Sequence, residues 1–249
     1  MIGKRLRTGV RLLRFAWVLA SAAVQYAVTV WLAGKSAQLP IRAAWMAQTS
    51  RRLLKVLNIV VTRHGRPPGR GLIASNHLGY VDIVVLGAAQ PTVFLSKSEV
   101  RGWPVLGLLA ACAGTLFIRR DRKADVARFD DSFARVVDQG VILGIFPEGT
   151  STDGHQVLPF HSSLFAAAAA AAWPVTPAWI GYEVDEGSVE NDVCYWGDMT
   201  FSTHFRRLIK LDQVRATVIY GEALTGATDR KQMAKTLHRQ VGGLREQYR

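Results

Sequence analysis

The longest uncharged stretch of the chain lies near its N-terminus. Residues 15–34, FAWVLASAAVQYAVTVWLAG, contain no charged side chain. As an α-helix this stretch is about 30 Å long, which matches the hydrocarbon core of a bilayer. A secretory signal peptide and a buried core helix are the two alternatives. Trp17 and Trp31 lie near its ends, where aromatic rings favour the membrane interface, and no clean A-x-A site follows. We therefore expect an N-terminal hydrophobic helical membrane anchor.

Basic residues lie on both sides of this stretch, so the positive-inside rule gives no orientation. A segment that enters one leaflet and returns, with residues 41–61 as the returning arm, places both basic groups against the same anionic lipid surface. We therefore expect residues 1–62 to be a membrane-associating helical segment. The basic residues are Lys4, Arg5, Arg7, Arg11 and Arg14 before the stretch, and Lys35, Arg42, Arg51, Arg52 and Lys55 after it.

Residues 63–70, RHGRPPGR, resist regular structure because of their prolines and glycines. They mark the start of a second part, residues 63–249, in which apolar strand-like runs alternate with helical patterns. This alternation predicts an α/β fold with a mixed, largely parallel sheet flanked by helices. The expected strands are 71–75, 92–96, 115–118, 141–146, 175–182 and 215–220, and the expected helices are 103–113, 123–139, 162–173 and 229–248.

The net charge of +12 favours acidic partners such as nucleic acids, anionic lipids or phosphorylated ligands. The apolar N-terminal stretch and the lack of a recognised nucleic-acid-binding motif argue against a nucleic acid as the partner. Cys112 and Cys194 form no CxxC pattern and have no histidine at metal-ligand spacing. We therefore expect anionic membrane lipids as partners, no nucleic acid, and neither a metal site nor a disulfide framework.

The first candidate site is SNHLGYVD, directly after the first expected strand of the second part. Asp82 lies five residues after His77, and on one straight helix the two side chains would point about 140° apart. A contact therefore requires His77 in a turn and Asp82 in the first turn of the next helix, which Gly79 makes easy. Asp82 then fixes the tautomer of His77, and the second imidazole nitrogen is free to act as a base.

Two further candidates also follow expected strands. In FPEGT, residues 146–150, the proline and Gly149 shape a tight turn that presents Glu148 at the sheet edge. Arg120 follows the strand TLFI, and its guanidinium suits phosphate geometry. Lys97 ends another expected strand and adds to the same positive site. Taken singly, each of these signals is also compatible with a solvated loop.

The order of these motifs resembles the glycerophospholipid acyltransferase family, and within it the bacterial 1-acyl-sn-glycerol-3-phosphate acyltransferases. The resemblance covers roughly residues 60–220 and consists of NH-x4-D, G-x-x-F-I-x-R, FPEG and Val-x-Pro. The matching residues are Asn76, His77 and Asp82; Gly114, Phe117, Ile118 and Arg120; Phe146, Pro147, Glu148, Gly149 and Thr150; and Val175 and Pro177.

The resemblance implies an O-acyltransferase that moves a fatty acyl group to the free hydroxyl of a lysolipid. His77 is then the general base and Asp82 its partner. The implied substrate-binding residues are Asn76, Lys97, Arg120, Glu148, Gly149 and Thr150, with Arg120 and Lys97 on the phosphate. The co-substrate is acyl-CoA or acyl-ACP, and no cofactor is implied. Because acyl thioesters are cytosolic, we expect the protein at the cytosolic face of the inner membrane.

The chain departs from the family pattern at the third motif. Ser151 stands where an arginine usually follows the threonine, and His161 where a lysine is common. The form FPEGTSTDG also looks like that of relatives that acylate lyso-ornithine lipid. Because Arg120 and Lys97 remain, we expect lysophosphatidic acid as the acceptor and keep lyso-ornithine lipid as the alternative. A non-catalytic, membrane-anchored lipid-binding protein is the alternative of another class.

Overall fold

The computed structural model describes residues 2–33, 38–118 and 123–248, and the side chains within these ranges except those of residues 2–3, 123–130 and 248. The helices are α1 (Ile2–Leu32), α2 (Gln38–Leu57), α3 (Tyr80–Ala89), α4 (Leu106–Cys112), α5 (Lys123–Asp138), α6 (Ala166–Ala170), α7 (Phe201–Leu208) and α8 (Arg230–Tyr248). The strands are β1 (Ile59–His64), β2 (Leu72–Ser75), β3 (Thr92–Lys97), β4 (Leu116–Ile118), β5 (Ile142–Ile145), β6 (Val175–Val184) and β7 (Val214–Tyr220).

The seven strands form one sheet in the order β1-β7-β6-β2-β5-β3-β4. Among the strand pairs of the described residues, only β6–β7 is antiparallel. The central strands β2 (LIAS) and β5 (ILGI) are buried along their whole length, as expected for parallel strands covered on both faces. The predicted α/β class with a largely parallel sheet is therefore confirmed.

Helices cover both faces of the sheet. One apolar core joins α2, α3 and α7 to the strands, with Leu54, Val85 and Leu208 among its members. The other joins α5, α6 and α8 to the opposite face. The carboxyl ends of the parallel strands β2, β5 and β3 lie at the same edge of the sheet, where open α/β sheets bind their ligands. The loops that carry the predicted motifs start at this edge.

Helix α1 runs antiparallel to α2, and the two helices are joined by polar contacts. Trp45 Nε1 donates to the carbonyl of Ala22 (2.8 Å), and the Gln25 and Gln48 amides are 2.6 Å apart. Within the described residues, Lys4–Leu32 is long and apolar enough to cross a membrane, and only 11% of its most apolar window is buried. Such exposure contradicts a buried core helix. The exposed apolar residues of α1 are Leu6, Val10, Leu12, Leu13, Trp17, Val24, Val28, Trp31 and Leu32.

The segment around residue 60 differs from the expectation. Residues 59–64 form strand β1, which pairs in parallel with β7 from Ile59 to His64. The expected returning arm, residues 41–61, therefore ends inside the sheet, and the expected boundary between residues 62 and 63 falls within a strand. Pairing with β7, about 150 residues away in sequence, decides the conformation here. The association of residues 1–62 with a membrane stays a prediction.

Three smaller differences concern short helical segments. Helix α7 and a π-helical turn, Val189–Val193, were not predicted. The expected helix 162–173 is divided into a 3₁₀ turn, Ser162–Phe165, and the short α6. These elements are too short for their periodicity to be read from the sequence alone.

Candidate active site

His77 and Asp82 meet where β2 turns into α3. The Nδ1 atom of His77 lies 2.8 Å from Asp82 Oδ2. The imidazole stacks on the Phe146 ring, with centroids 4.1 Å apart and planes at 16°. Among the described residues no hydrogen bond occupies His77 Nε2, and the side chain is 21% exposed. The His77 imidazole is therefore fixed through one nitrogen and presents the other.

Asp82 is fully buried and is held from two sides. Its Oδ2 atom also accepts hydrogen bonds from the backbone N–H groups of Leu78 (2.6 Å) and Gly79 (2.9 Å). Its Oδ1 atom accepts one from the Tyr182 hydroxyl (2.7 Å). Because a buried carboxylate is costly unless hydrogen-bonded, this set of donors stabilises the ionised form.

The turn between β2 and α3 depends on Gly79. A Cβ atom at this position would lie 2.8 Å from the backbone nitrogen of Tyr195, so a larger residue does not fit. The Tyr195 N–H in turn donates to the carbonyl of Leu78 (2.7 Å). The turn that aligns His77 with Asp82 is thus packed directly against the segment around Tyr195.

Glu148 lies behind His77 rather than in the open part of the site. It is 3% exposed, and its two oxygens accept hydrogen bonds from the backbone N–H groups of His77 (2.8 Å) and Leu158 (2.9 Å). Burial, with a smaller contribution from the charge of Asp82, raises the pKa of the Glu148 carboxyl to about 7, against the effect of the two N–H donors. These contacts indicate that Glu148 positions the main chain of His77; its predicted contact with substrate is not visible in this arrangement.

Asn76 also departs from its predicted role. Its amide nitrogen donates to the carbonyl of Ile180 (2.9 Å), and its amide oxygen accepts from the N–H of the same residue (2.8 Å). The side chain is 3% exposed and extends the pairing of β2 with β6 by one residue. Because both polar atoms are engaged in this way, a positioning role fits Asn76 better than a substrate contact.

The other predicted residues are placed as follows. Lys97 and Thr150 are exposed and line the same cavity as His77. Gly149 also lines it, in a left-handed turn (φ 77°) that closes with a hydrogen bond from its N–H to Phe146. Arg120 lies outside the described residues. Among the predicted site residues, His77 is therefore in direct contact with both Asp82 and Glu148.

The cavity has a volume of about 350 Å³ and is lined mainly by apolar side chains. Its polar side chains include His77, Lys97, Thr150 and Ser151, together with Thr49, Ser96 and Thr115. Tyr195, Phe201 and Phe205 line it as well, whereas Trp196 packs on the core and donates to the carbonyl of Glu190. The apolar walls come from α1–α4 and β3, and include Phe15, Met46, Leu53, Leu57, Ile83, Val84, Phe94, Val100, Leu106 and Leu109.

Two contacts near the site were not expected from the sequence. Ser151, which replaces the usual arginine, donates from its hydroxyl to the carbonyl of Tyr195 (2.5 Å). Tyr80 lines the cavity, and its hydroxyl lies 2.8 Å from Nδ1 of the buried His204. Burial lowers the pKa of His204 to about 4, so this histidine is neutral near pH 7. Within the described part of the chain no group of three or more His, Cys, Asp or Glu residues is placed to hold a metal ion.

The chain is similar to known acyltransferases. Residues 58–181 match the family described as Acyltransferase. Over 187 residues the chain is 34% identical to a lyso-ornithine lipid O-acyltransferase of Brucella abortus, covering 70% of each protein. It is 40% identical over 169 residues to a lyso-ornithine lipid O-acyltransferase of Rhodobacter capsulatus. This second match covers 65% of the chain and 60% of that relative.

A solved structure shares the fold. The crystal structure of the 1-acyl-sn-glycerophosphate acyltransferase PlsC from Thermotoga maritima superimposes with a TM-score of 0.69 at 17% identity. The match covers 98% of the chain and 97% of that structure, so the α1–α2 pair is included. The motif order, the His77–Asp82 contact and these likenesses agree, and the chain therefore belongs to the acyltransferase family.

Proposed function

We propose that the protein transfers a fatty acyl group from an acyl thioester to the free hydroxyl of a lysolipid, with lyso-ornithine lipid as the acceptor. One observation carries the reaction type. His77 Nδ1 is held 2.8 Å from the buried Asp82, and the same imidazole lines an apolar cavity. A non-catalytic lipid-binding protein does not require a base fixed in this way.

The proposed chemistry needs no nucleophile from the protein. His77 Nε2 takes the proton of the acceptor hydroxyl while its oxygen attacks the thioester carbonyl carbon. The resulting imidazolium is stabilised by the Asp82 carboxylate. When the tetrahedral intermediate collapses, the carbon–sulfur bond breaks and the leaving thiolate takes the proton from His77. The products are an ester and a free thiol.

The cavity supports a fatty acyl substrate. Its apolar walls run from Phe146, against which His77 stacks, to side chains of α1, α2 and α4 such as Phe15, Leu53 and Leu109. Burying a methylene group in such surroundings contributes about 0.8 kcal/mol. An acyl chain in this cavity places its carboxyl end beside His77.

Two features favour lyso-ornithine lipid over lysophosphatidic acid. The relatives from Brucella and Rhodobacter are named for that acceptor. Ser151 takes the place of a cation, and its hydroxyl is bound to the Tyr195 carbonyl. A phosphomonoester carries close to two negative charges, whereas an amide-linked ornithine headgroup has one ammonium and one carboxylate. Binding the zwitterionic ornithine headgroup therefore requires fewer cationic side chains than binding the phosphate of lysophosphatidic acid.

Lysophosphatidic acid, the acceptor preferred from the sequence, stays the second candidate because Lys97 is exposed at the cavity wall. Direct competition separates the two. Purified protein is given equal amounts of both lysolipids and a labelled acyl-CoA or acyl-ACP donor. We expect labelled ornithine lipid to dominate. Dominant phosphatidic acid would reassign the acceptor, and turnover of neither lysolipid would contradict the proposed activity. His77→Ala protein is the control for non-enzymatic transfer.

We further propose that α1 and α2 enter one leaflet as a hairpin at the cytosolic face of the inner membrane. Lys4 pairs with Glu186 (2.6 Å), and the buried Arg11 donates to carbonyls at the end of α7, including Ile209 (3.2 Å). These contacts hold the N-terminal part of α1 against the catalytic domain, and α2 ends at the same domain. Acyl thioester donors are cytosolic, and the exposed cations of α1, such as Arg14, suit anionic lipids.

A further inference from the structure

Tyr182 lies near the end of β6 and belongs to none of the motifs found in the sequence. It is 9% exposed, and its hydroxyl donates to Asp82 Oδ1 at 2.7 Å across 100 residues of sequence. We propose that Tyr182 is a positioning residue that acts on His77 through Asp82 and tunes its strength as a base. This inference rests on the proposed acyl transfer.

Tyr182 and the other donors bind different oxygens of the Asp82 carboxylate. Oδ2 takes all three contacts from the turn after β2, namely His77 Nδ1 and the N–H groups of Leu78 and Gly79. Within the described residues, the Tyr182 hydroxyl is the donor to Oδ1. One oxygen is thus fixed by the local turn and the other by β6, so the plane of the carboxylate cannot rotate without losing a bond.

The hydroxyl also limits how strongly Asp82 attracts the His77 proton. A donor on Oδ1 draws negative charge away from Oδ2, and less charge remains for the imidazolium that forms during transfer. Burial, followed by the charge of Asp82, raises the pKa of Tyr182 well above its ordinary value, so the phenol stays a donor at working pH. Without this donor, His77 holds its proton more tightly.

Among the described residues, Glu148 and Cys194 are titratable groups that interact with Asp82 or Tyr182. Glu148 faces Asp82 from the loop after β5 and titrates near neutral pH, with a pKa of about 7. Cys194 approaches both residues after the π-helical turn, and burial raises the pKa of its thiol, so it stays neutral. Because Glu148 titrates in the same range and interacts with the charge of Asp82, a shifted pH profile in the Tyr182 variant is assigned to His77 only together with a direct signal from the His77 imidazole.

Tyr182→Phe is the direct test, and the same sheet offers a matched control. Tyr220 ends β7, is 4% exposed, and its hydroxyl makes no hydrogen bond with the described residues. Tyr220→Phe therefore removes an equally buried hydroxyl that does not contact Asp82. Both full-length variants are assayed with lyso-ornithine lipid and an acyl-CoA donor from pH 5.5 to 9, and their Tm values are compared.

For Tyr182→Phe we expect kcat to fall roughly three- to thirtyfold, which is less than the loss on removing the base itself. KM for both substrates should stay near wild type, and the acidic limb of the kcat/KM profile should move to higher pH. Tyr220→Phe should match wild type in kcat, in KM and in the position of the acidic limb. Wild-type kcat and an unmoved limb in Tyr182→Phe would overturn the proposal. A lower kcat without a moved limb would also overturn it, because packing alone explains such a loss.

A second readout does not depend on turnover. In protein labelled with ¹⁵N-histidine, the His77 Nδ1 proton is assigned by its loss in His77→Ala. We expect this signal to move downfield in Tyr182→Phe, because Asp82 becomes a stronger acceptor, and to stay in place in Tyr220→Phe. An unmoved signal would refute the positioning role even if the protein acylates another lysolipid. The signal therefore separates this inference from the choice of acceptor.

Discussion

Replacing Glu148 with glutamine distinguishes a positioning carboxylate from one that binds substrate. In the wild type both oxygens of Glu148 accept backbone N–H groups, from His77 and from Leu158. Glutamine keeps one acceptor and turns an NH₂ group toward the other N–H, so one of the two contacts is lost. We therefore expect the main chain of His77 to be held less firmly, with a lower kcat and an acceptor KM close to wild type.

The magnitude follows from the lost contact. A hydrogen bond to a charged group contributes about 1.5–3 kcal/mol, which sets an upper limit of roughly ten- to a hundredfold on the fall in kcat.

The removal of the Glu148 charge has a second effect, on the free energy of unfolding. Because burial raises the pKa of the Glu148 carboxyl to about 7, the folded protein binds this proton more tightly than the unfolded chain does.

The sign of the pH dependence follows from this shift. The free energy of unfolding of the wild type should fall as pH rises from the ordinary value of 4.5 to about 7. At about 1.4 kcal/mol per pKa unit, the fall is roughly 3 kcal/mol. Glu148→Gln lacks this titration, so it should gain stability relative to wild type between pH 5 and pH 8. For a chain of this size the gain is roughly 6–12 °C in Tm.

Thermal unfolding at pH 5, 6, 7 and 8 and steady-state kinetics at pH 7.5 measure both effects. Glu222→Gln is the control, because Glu222 is exposed and its loss should leave the pH dependence of Tm unchanged. Parallel Tm curves for wild type and Glu148→Gln would refute the burial argument. A raised acceptor KM with unchanged kcat would return Glu148 to the substrate-contact role predicted from the sequence.

Two further predictions concern the base and the topology. His77→Ala should lower the rate of acyl transfer by about 10² to 10⁴ while Tm stays near wild type; activity within threefold of wild type in the folded variant would remove His77 as the base. Single cysteines at Lys4 and Arg66, introduced after Cys112 and Cys194 are replaced by alanine, should both resist an impermeant reagent in intact spheroplasts and react after lysis. Labelling of either position from outside would exclude the cytosolic hairpin.

Much of the candidate site was predictable because it is local in sequence. Asp82 lies only five positions after His77, and a glycine-containing turn followed by a helix is the arrangement that brings them together. The third motif, FPEGT, was equally predictable from the sequence, since it follows a buried strand and its Gly149 adopts a left-handed turn. Alternation of apolar runs with helical patterns predicted the sheet, because parallel strands need helical crossovers that cover both faces.

Other features depend on residues far apart in the chain. Asn76 and Glu148 have the residue types of substrate ligands, yet the backbones of Ile180 and Leu158 occupy their polar atoms. Residues 59–64 became an edge strand only because β7 lies beside them. No spacing in the sequence marks Tyr182, since the register of β6 against β2 brings it to Asp82. The sequence therefore determined which groups are candidates for the chemistry, through local turns and apolar periodicity. The tertiary structure decided which polar groups face the cavity and which hold His77 in place, because only the packed chain determines where the partners of a buried hydrogen bond lie.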